Sequence, residues 1–278
     1  MAYSTVKLEF EGQVSTLTLN RPEKRNAISP EMIEELGVAL DEVDRSPARV
    51  LILTGAGKAF CAGMDLDALR GLAQRASEHH LLTDGPLKGG IPRAADANLA
   101  DSRRIAHMFR RIYEFPKPTI AAVNGAAIAG GCGIATLCDF TLATPEAKFG
   151  YTEVRIGFIP ALVSVFLTRQ IGDKRACDLL LTGRIFGADE AQRLGLVNEV
   201  VPEPSLMARA RETAAALIEA SPTSLVYTKR LLHRFAAEEL HAELELALQE
   251  NARIRSTADF CEGLAAFLEK RKPVWKGE

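Results

Sequence analysis

The sequence predicts an α/β protein, with β/α units over about two thirds of the chain and a helical section after them. Three observations carry this expectation. The runs Arg49–Thr54, Thr119–Asn124 and Asp139–Ala143 are continuous apolar stretches of strand length, the mark of strands buried on both faces. Helical spacing of apolar residues precedes the first two of these runs, and from Leu162 onward the pattern is mostly helical. The 278 residues hold 47% hydrophobic and 25% charged side chains, the balance of a folded chain long enough for a large core.

Val6–Phe10 and Val14–Asn20 alternate apolar and polar residues around Gly12, which predicts a hairpin. Ser29 offers an N-cap with Pro30 at the first helical position. Ile33, Leu36, Leu40 and Val43 then put one apolar stripe on the helix that follows. Ser77–Asn98 breaks the rhythm with Gly85, Pro86, Gly89, Gly90 and Pro92, and reads as a long mobile loop of the kind that covers a site. A helix over Asp101–Tyr113 leads through Pro116–Pro118 into the second buried run. Ile120–Leu137 is nearly charge-free and about long enough to span a bilayer. Asn124, Gly125, Gly130, Gly131 and Gly133 favour a buried strand, turn and helix instead, so no membrane partner is expected. A short apolar run lies at Leu196–Val201. Helices are then predicted over Glu203–Glu219, Pro222–Ala237, Glu239–Arg253 and Thr257–Lys270, the last capped by Ser256 with Asp259 three residues on. The natural division is a core over 1–200 and a helical section over 201–278.

The charge balance excludes some partners. With 34 Lys+Arg against 36 Asp+Glu and no basic block, nothing in the electrostatics points to nucleic acid. Lys7, Glu9 and Glu11 alternate through an N-terminus that is wrong for a signal peptide. The five cysteines (Cys61, Cys132, Cys138, Cys177, Cys261) form no CxxC pair and read as reduced, cytoplasmic thiols that pack as small buried hydrophobes. His79 and His80 are adjacent and would diverge by about 100° on a helix, so they read as loop residues. His107, His233 and His241 read as surface or capping groups. Gly55-Ala56-Gly57 fails as a dinucleotide fingerprint, because its third glycine position is Phe60 and no helix opens there. Gly57-Lys58 has Ile52 where a P-loop needs glycine. No HExxH, GxSxG or carboxylate cluster at metal spacing occurs, so no metal is expected.

Two glycine-bearing turns follow buried strands: Phe60-Cys61-Ala62-Gly63-Met64-Asp65-Leu66, and Asn124 to Gly133. Ligands of α/β folds sit at the carboxyl ends of strands, where such turns converge. Backbone N–H groups at Met64 and Gly130 would then point into one cleft, with a helix starting near Gly130 adding its positive end. Small residues at Gly130 and Gly131 would let a ligand approach the backbone. Two convergent donors form an oxyanion hole suited to a thioester carbonyl that becomes an enolate. The same pattern would equally serve two close-packed turns with no ligand.

The residues Phe60 to Leu66, Pro118 to Gly125, Gly130-Gly131-Cys132-Gly133, Cys138-Asp139 and Phe149-Gly150-Tyr151-Thr152-Glu153 together resemble the crotonase (enoyl-CoA hydratase/isomerase) superfamily. Arg21-Pro22, Asn26-Ala27, Leu181-Thr182-Gly183, Ala191 to Val197 and Phe267 to Arg271 extend the resemblance over essentially the whole chain. It implies a crotonase fold, a spiral of ββα units with a C-terminal helical section used for trimerisation. It also implies acyl-CoA thioesters as substrates, with coenzyme A entering as part of the substrate and no separate cofactor, and a homotrimer or dimer of trimers. The oxyanion donors fall on Met64 and Gly130. Arg25, Ala62 and Asp65 fall where relatives line the CoA channel, with Gly131 beside them. Phe267 and Lys270 match positions that reach CoA across a subunit boundary. Lys24, Arg25 and Lys270 would supply local positive charge.

The resemblance also bears on the reaction. Well-known hydratases carry a glutamate at the positions of Gly133 and Glu153, and here only Glu153 stands. Ala161 occupies the place of an aspartate used for dienoyl isomerisation or dehalogenation. A single glutamate fits a Δ3,Δ2-enoyl-CoA isomerase. Thr152 to Ala161, with Gly133, is similar to single-glutamate hydratases of the methylglutaconyl-CoA type, which favours hydration. A non-catalytic acyl-CoA-binding protein is a third reading. Burial near a thioester should raise the Glu153 pKa toward working pH. Acyl specificity is expected from Asp67–Asn98, Tyr151 and Phe158–Phe166.

Overall fold

In the computed structural model, residues 3–71, 93–235 and 237–277 are described. Strands β1 (Val6–Glu11) and β2 (Val14–Leu19) form the expected antiparallel hairpin. Helix α1 (Pro30–Arg45) begins where Ser29 Oγ accepts the Met32 N–H at 3.2 Å. Its stripe of Ile33, Leu36, Leu40 and Val43 is buried.

Three strand pairs then follow: β3 (Val50–Gly55) with β4 (Ala59–Cys61), β5 (Thr119–Val123) with β6 (Ala126–Ile128), and β7 (Phe140–Ala143) with β8 (Lys148–Gly150). The first member of each pair joins a six-stranded sheet and the second joins a four-stranded sheet. The two sheets therefore grow together as the chain spirals. Strands β9 (Ile185–Gly187) and β10 (Glu199–Val200) complete the smaller and larger sheets, giving the orders β4-β6-β8-β9 and β1-β2-β3-β5-β7-β10. Neighbours from β2 to β10 in the larger sheet run parallel, as do β4, β6 and β8 in the smaller one.

Unbroken apolar runs are what two-sided burial demands. In β3, Leu51 and Leu53 face the main core, while Val50 and Ile52 face a second core under α7 (Leu206–Glu219). In β5, Ala121 and Val123 belong to the first core and Ile120 and Ala122 to the second.

Helix α2 (Arg93–Tyr113) is longer than its periodicity suggested, so Arg93–Asn98 is helix and not loop. Most of the expected loop, with His79 and His80, lies outside the described residues. Helix α3 (Gly130–Leu137) follows β6 directly. Beyond it come α4 (Ala161–Ile171), α5 (Asp173–Thr182), α6 (Ala188–Leu194), α8 (Pro222–Arg234), α9 (Ala237–Ile254) and α10 (Ala258–Leu268). The cap of α10 is Thr257, whose hydroxyl accepts the Phe260 N–H at 3.2 Å. Ser256 instead donates to the Arg253 carbonyl of the preceding helix. Cys61, Cys132 and Cys138 are buried as expected, but Cys177 and Cys261 are exposed. His233 is half-buried and stacks on Tyr113 at 4.1 Å. Among the described residues, no helix is long and apolar enough to cross a membrane.

Helix α10 meets the short 3₁₀ turn Glu153–Ile156 backbone to backbone. A Cβ on Gly263 would stand 2.3 Å from the Ile156 carbonyl oxygen, and one on Gly157 would stand 2.3 Å from that of Asp259. Phe158, Phe260 and Leu264 fill the remaining space. Gly263→Ala is expected to cost about 1–3 kcal/mol and to expose α10 to limited proteolysis. A denaturation midpoint equal to that of the parent would show that this contact does not seat the helix.

Candidate active site

Strands β4 and β6 pair in parallel, so the turns that leave their carboxyl ends are neighbours. The first turn forms a parallel bridge in which Ile28 pairs with Met64. Ile28 donates to the Gly63 carbonyl at 2.8 Å, and its own carbonyl accepts the Asp65 N–H at 2.9 Å. In a parallel ladder the residue between those two contacts turns its own N–H to the opposite side. The Met64 amide is thereby left without a backbone acceptor among the described residues.

The second free amide comes from the start of α3. Ala129 precedes that helix with φ 51° and ψ −124°, a strained conformation for a residue with a Cβ. Its N–H donates to the Gly150 carbonyl at 2.6 Å, which ties the turn to β8. Gly130 follows as the first helical residue, where an N–H has no partner inside the helix. A Cβ on Gly63 would lie 3.6 Å from the Gly130 nitrogen, so the two turns touch.

Met64 and Gly130 both line a cavity of about 480 Å³. Its walls are mostly apolar, from Leu66, Ile105, Phe109, Ile128, Phe158 and Val163 among others, with Arg25, Arg155, Glu153 and Asn251 as its ionisable and amide side chains. Glu153 opens the 3₁₀ turn after β8 and is buried. Its Oε2 is sealed from solvent and has no hydrogen-bond partner among the described residues. Loss of hydration pushes its pKa up from 4.5 to about 7, against a smaller downward pull from its own backbone N–H.

A sequence profile of the enoyl-CoA hydratase/isomerase family matches residues 9–86 and 87–278. The chain belongs to the enoyl-CoA hydratase/isomerase family. It is 44% identical over 264 residues to a Thermus thermophilus protein provisionally assigned as an enoyl-CoA hydratase, covering 95% of this chain and 97% of the relative. It is 33% identical over 279 residues to the short-chain-enoyl-CoA hydratase of Clostridium acetobutylicum, covering 98% and 97%. The crystal structure of an enoyl-CoA hydratase/isomerase from Xanthobacter autotrophicus Py2 superposes with a TM-score of 0.84 at 31% identity, covering 96% of this chain and 94% of that one. The crotonase fold is thus present, as a spiral of strand pairs with helices at its C-terminal end.

Not every residue suggested by the family resemblance reaches the cavity. Arg25, Ala62, Met64, Gly130, Glu153 and Phe267 line it. Asp65 does not. Its carboxylate pairs with Arg21 at 2.9 Å and accepts the Asp67 N–H at 3.1 Å at the start of the helical turn over 66–71. Gly131 is small for another strand: a Cβ there would lie 2.3 Å from the Cys61 carbonyl oxygen. Phe267 lines the cavity of its own chain, on the helix that folds back over the 3₁₀ turn. Lys270 is exposed and away from the lining, and Lys24 is paired with Asp67 at 3.0 Å. Tyr151 is buried and does not line it. Arg155 and Asn251 do line it, and no sequence signal marked them; Asn251 lies on a helix about a hundred residues after Glu153.

The position of Gly133 is enclosed. A Cβ there would meet Val163 Cγ1 at 2.6 Å and Phe109 Cε1 at 3.1 Å, so an apolar wall stands beside it. Among the described residues no group of three His, Cys, Asp or Glu side chains could hold a metal.

The raised acid fixes the sign of a pH effect on stability. Below pH 4.5 Glu153 is protonated both folded and unfolded and contributes no difference. Between 4.5 and about 7 the unfolded chain ionises first, so the fold loses stability as pH rises. Glu153→Gln removes this loss. The variant is expected to be more stable than the parent at pH 8, by up to about 3 kcal/mol, with the gap closing toward pH 4. Parallel stability-versus-pH curves for the two proteins would rule out a buried carboxylate at this position.

Proposed function

We propose that this protein adds water across the double bond of an α,β-unsaturated acyl-CoA. The observation that carries the reading is a buried carboxyl group, one oxygen of which is sealed, in the same cavity as two backbone amides; among the described residues neither that oxygen nor the amides have a recorded partner. The thioester oxygen would accept the Met64 and Gly130 N–H groups. Charge that develops on it as the enolate forms meets donors already oriented in a dry site, and removing one such donor typically costs about 3 kcal/mol. The dipole of α3 has the same sign.

Glu153 in its ionised form would take a proton from water while the water oxygen bonds to Cβ. The π electrons move to the thioester oxygen. Return of that proton from Glu153 to Cα re-forms the carbonyl and leaves the β-hydroxyacyl thioester. One carboxyl group thus serves as base and then as acid, which a pKa near 7 suits. The apolar wall at Gly133 supports a single-carboxylate course, as in the methylglutaconyl type. Arg25 and Arg155 at the lining would meet the anionic end of CoA. No separate cofactor is needed for this chemistry.

The helical section after residue 200 is proposed to carry assembly into a trimer or a dimer of trimers. Tyr227, Leu231, Leu232 and Phe235 support this, because they are exposed apolar residues on and just after α8.

Loss of conjugated enoyl absorbance on adding crotonyl-CoA measures the reaction. Conjugation gained from a 3-enoyl thioester would instead mean isomerisation. Glu153→Gln is expected to reduce turnover at least a thousandfold while acyl-CoA affinity changes little. In the parent, kcat/KM should rise with pH and level off above about 7. Undiminished turnover by the Gln variant would remove Glu153 from the reaction.

A further inference from the structure

A buried polar cluster closes one side of the cavity. Asp101 and Arg255 form an ion pair at 2.6 Å, with both side chains 3% exposed. Ser102 Oγ donates to Asn251 Oδ1 at 2.8 Å, and Arg255 Nη2 donates to the same oxygen at 3.1 Å. The Arg255 guanidinium lies 5.6 Å from the centre of the Phe158 ring, which itself lines the cavity.

Arginine can only donate, so the Asn251 atom facing it must be the oxygen, and the amide orientation is fixed. The NH₂ group is then the one left over. It donates to no group among the described residues. Asn251 is 4% exposed, yet its nitrogen is absent from the buried polar atoms that are sealed without a partner, which include Arg255 Nε. Space remains beside it, and the space that Asn251 borders is the cavity. Bracing α2 against α9 requires only the oxygen. An unused N–H pair held rigidly in an apolar cavity is costly unless something accepts from it.

We infer that Asn251 is a specificity-determining residue that donates a hydrogen bond to an oxygen on the acyl chain of the substrate. This rests on the acyl-CoA reading above and narrows it: the acyl group carries an acceptor oxygen, of hydroxyl or carboxylate class, beyond the reacting carbons. A plain alkyl chain would leave the amide unsatisfied, which is the kind of mismatch that buried polar groups discriminate against.

The test is calorimetric binding of saturated, unreactive thioesters in matched four- to six-carbon series ending in methyl, hydroxyl or carboxylate. The parent is expected to bind at least one oxygenated series about tenfold more tightly than the methyl series. The hydroxyl and carboxylate arms then tell which oxygen is read. Asn251→Asp keeps an acceptor for Ser102 and Arg255 but has no N–H, and its carboxylate should abolish a preference for carboxylate chains while still accepting from a hydroxyl. Asn251→Ala offers neither donor nor acceptor and should abolish the preference for either oxygen. Equal affinity for methyl and oxygenated chains in the parent, or a preference that survives Asn251→Ala, would overturn the inference. Binding needs no turnover, so this result stands apart from the crotonyl-CoA assay, which alone decides whether water is added.

Discussion

Backbone contact between two turns is the constraint from which the rest of the site follows. Gly131 lies so close to the Cys61 carbonyl that no side chain fits between them, and Gly63 is pressed equally against Ile128 and Ala129. The parallel register of β4 on β6 brings both turns to one end of the smaller sheet. The Ile28 bridge then turns the Met64 amide away from its ladder, and the strained Ala129 peptide leads into Gly130 with its amide uncommitted. Two unsatisfied donors on touching turns would be a defect in an ordinary protein. Here the fold sets strain and close packing against each other to keep them in place.

Dryness is the second requirement, and it follows from how the helices close over those turns. Helix α2 supplies Ile105 and Phe109, α4 supplies Leu162 and Val163, and the segment after Glu153 supplies Phe158. The same apolar wall that strengthens the amide dipoles also strips water from Glu153, so its high pKa and the strength of the donors have one cause. The cost of holding that carboxyl group is met by packing elsewhere, notably the backbone contact of α10 with the 3₁₀ turn that carries it.

Periodicity and composition made most of the framework legible. Unbroken apolar runs marked β3, β5 and β7 because both faces of each strand are covered, and Ser29-Pro30 marked the start of α1 through local capping chemistry. The pairing of strands into two sheets was not legible, since β4, β6 and β8 are only three residues each and carry no alternation. At the site, the family resemblance led to Met64, Gly130 and Glu153. It gave no hint that Arg21 occupies the Asp65 carboxylate, because the two are 44 residues apart and neither spacing nor charge pattern announces such a pair. Nor did it show that a Cβ on Gly131 would run into the Cys61 carbonyl of the neighbouring strand. Asn251 and Arg255 were invisible because their meaning depends on which helix they face. A polar residue on a mostly exposed C-terminal helix reads as solvated until tertiary packing buries it.

The most direct measurement is a crystal structure of the protein with an unreactive acyl-CoA thioester bound. The thioester oxygen should lie about 3 Å from both the Met64 and the Gly130 nitrogens, with the Glu153 carboxyl group facing Cα and Cβ. A thioester oxygen bound by neither amide, or a Glu153 side chain turned out to solvent in the complex, would contradict the account.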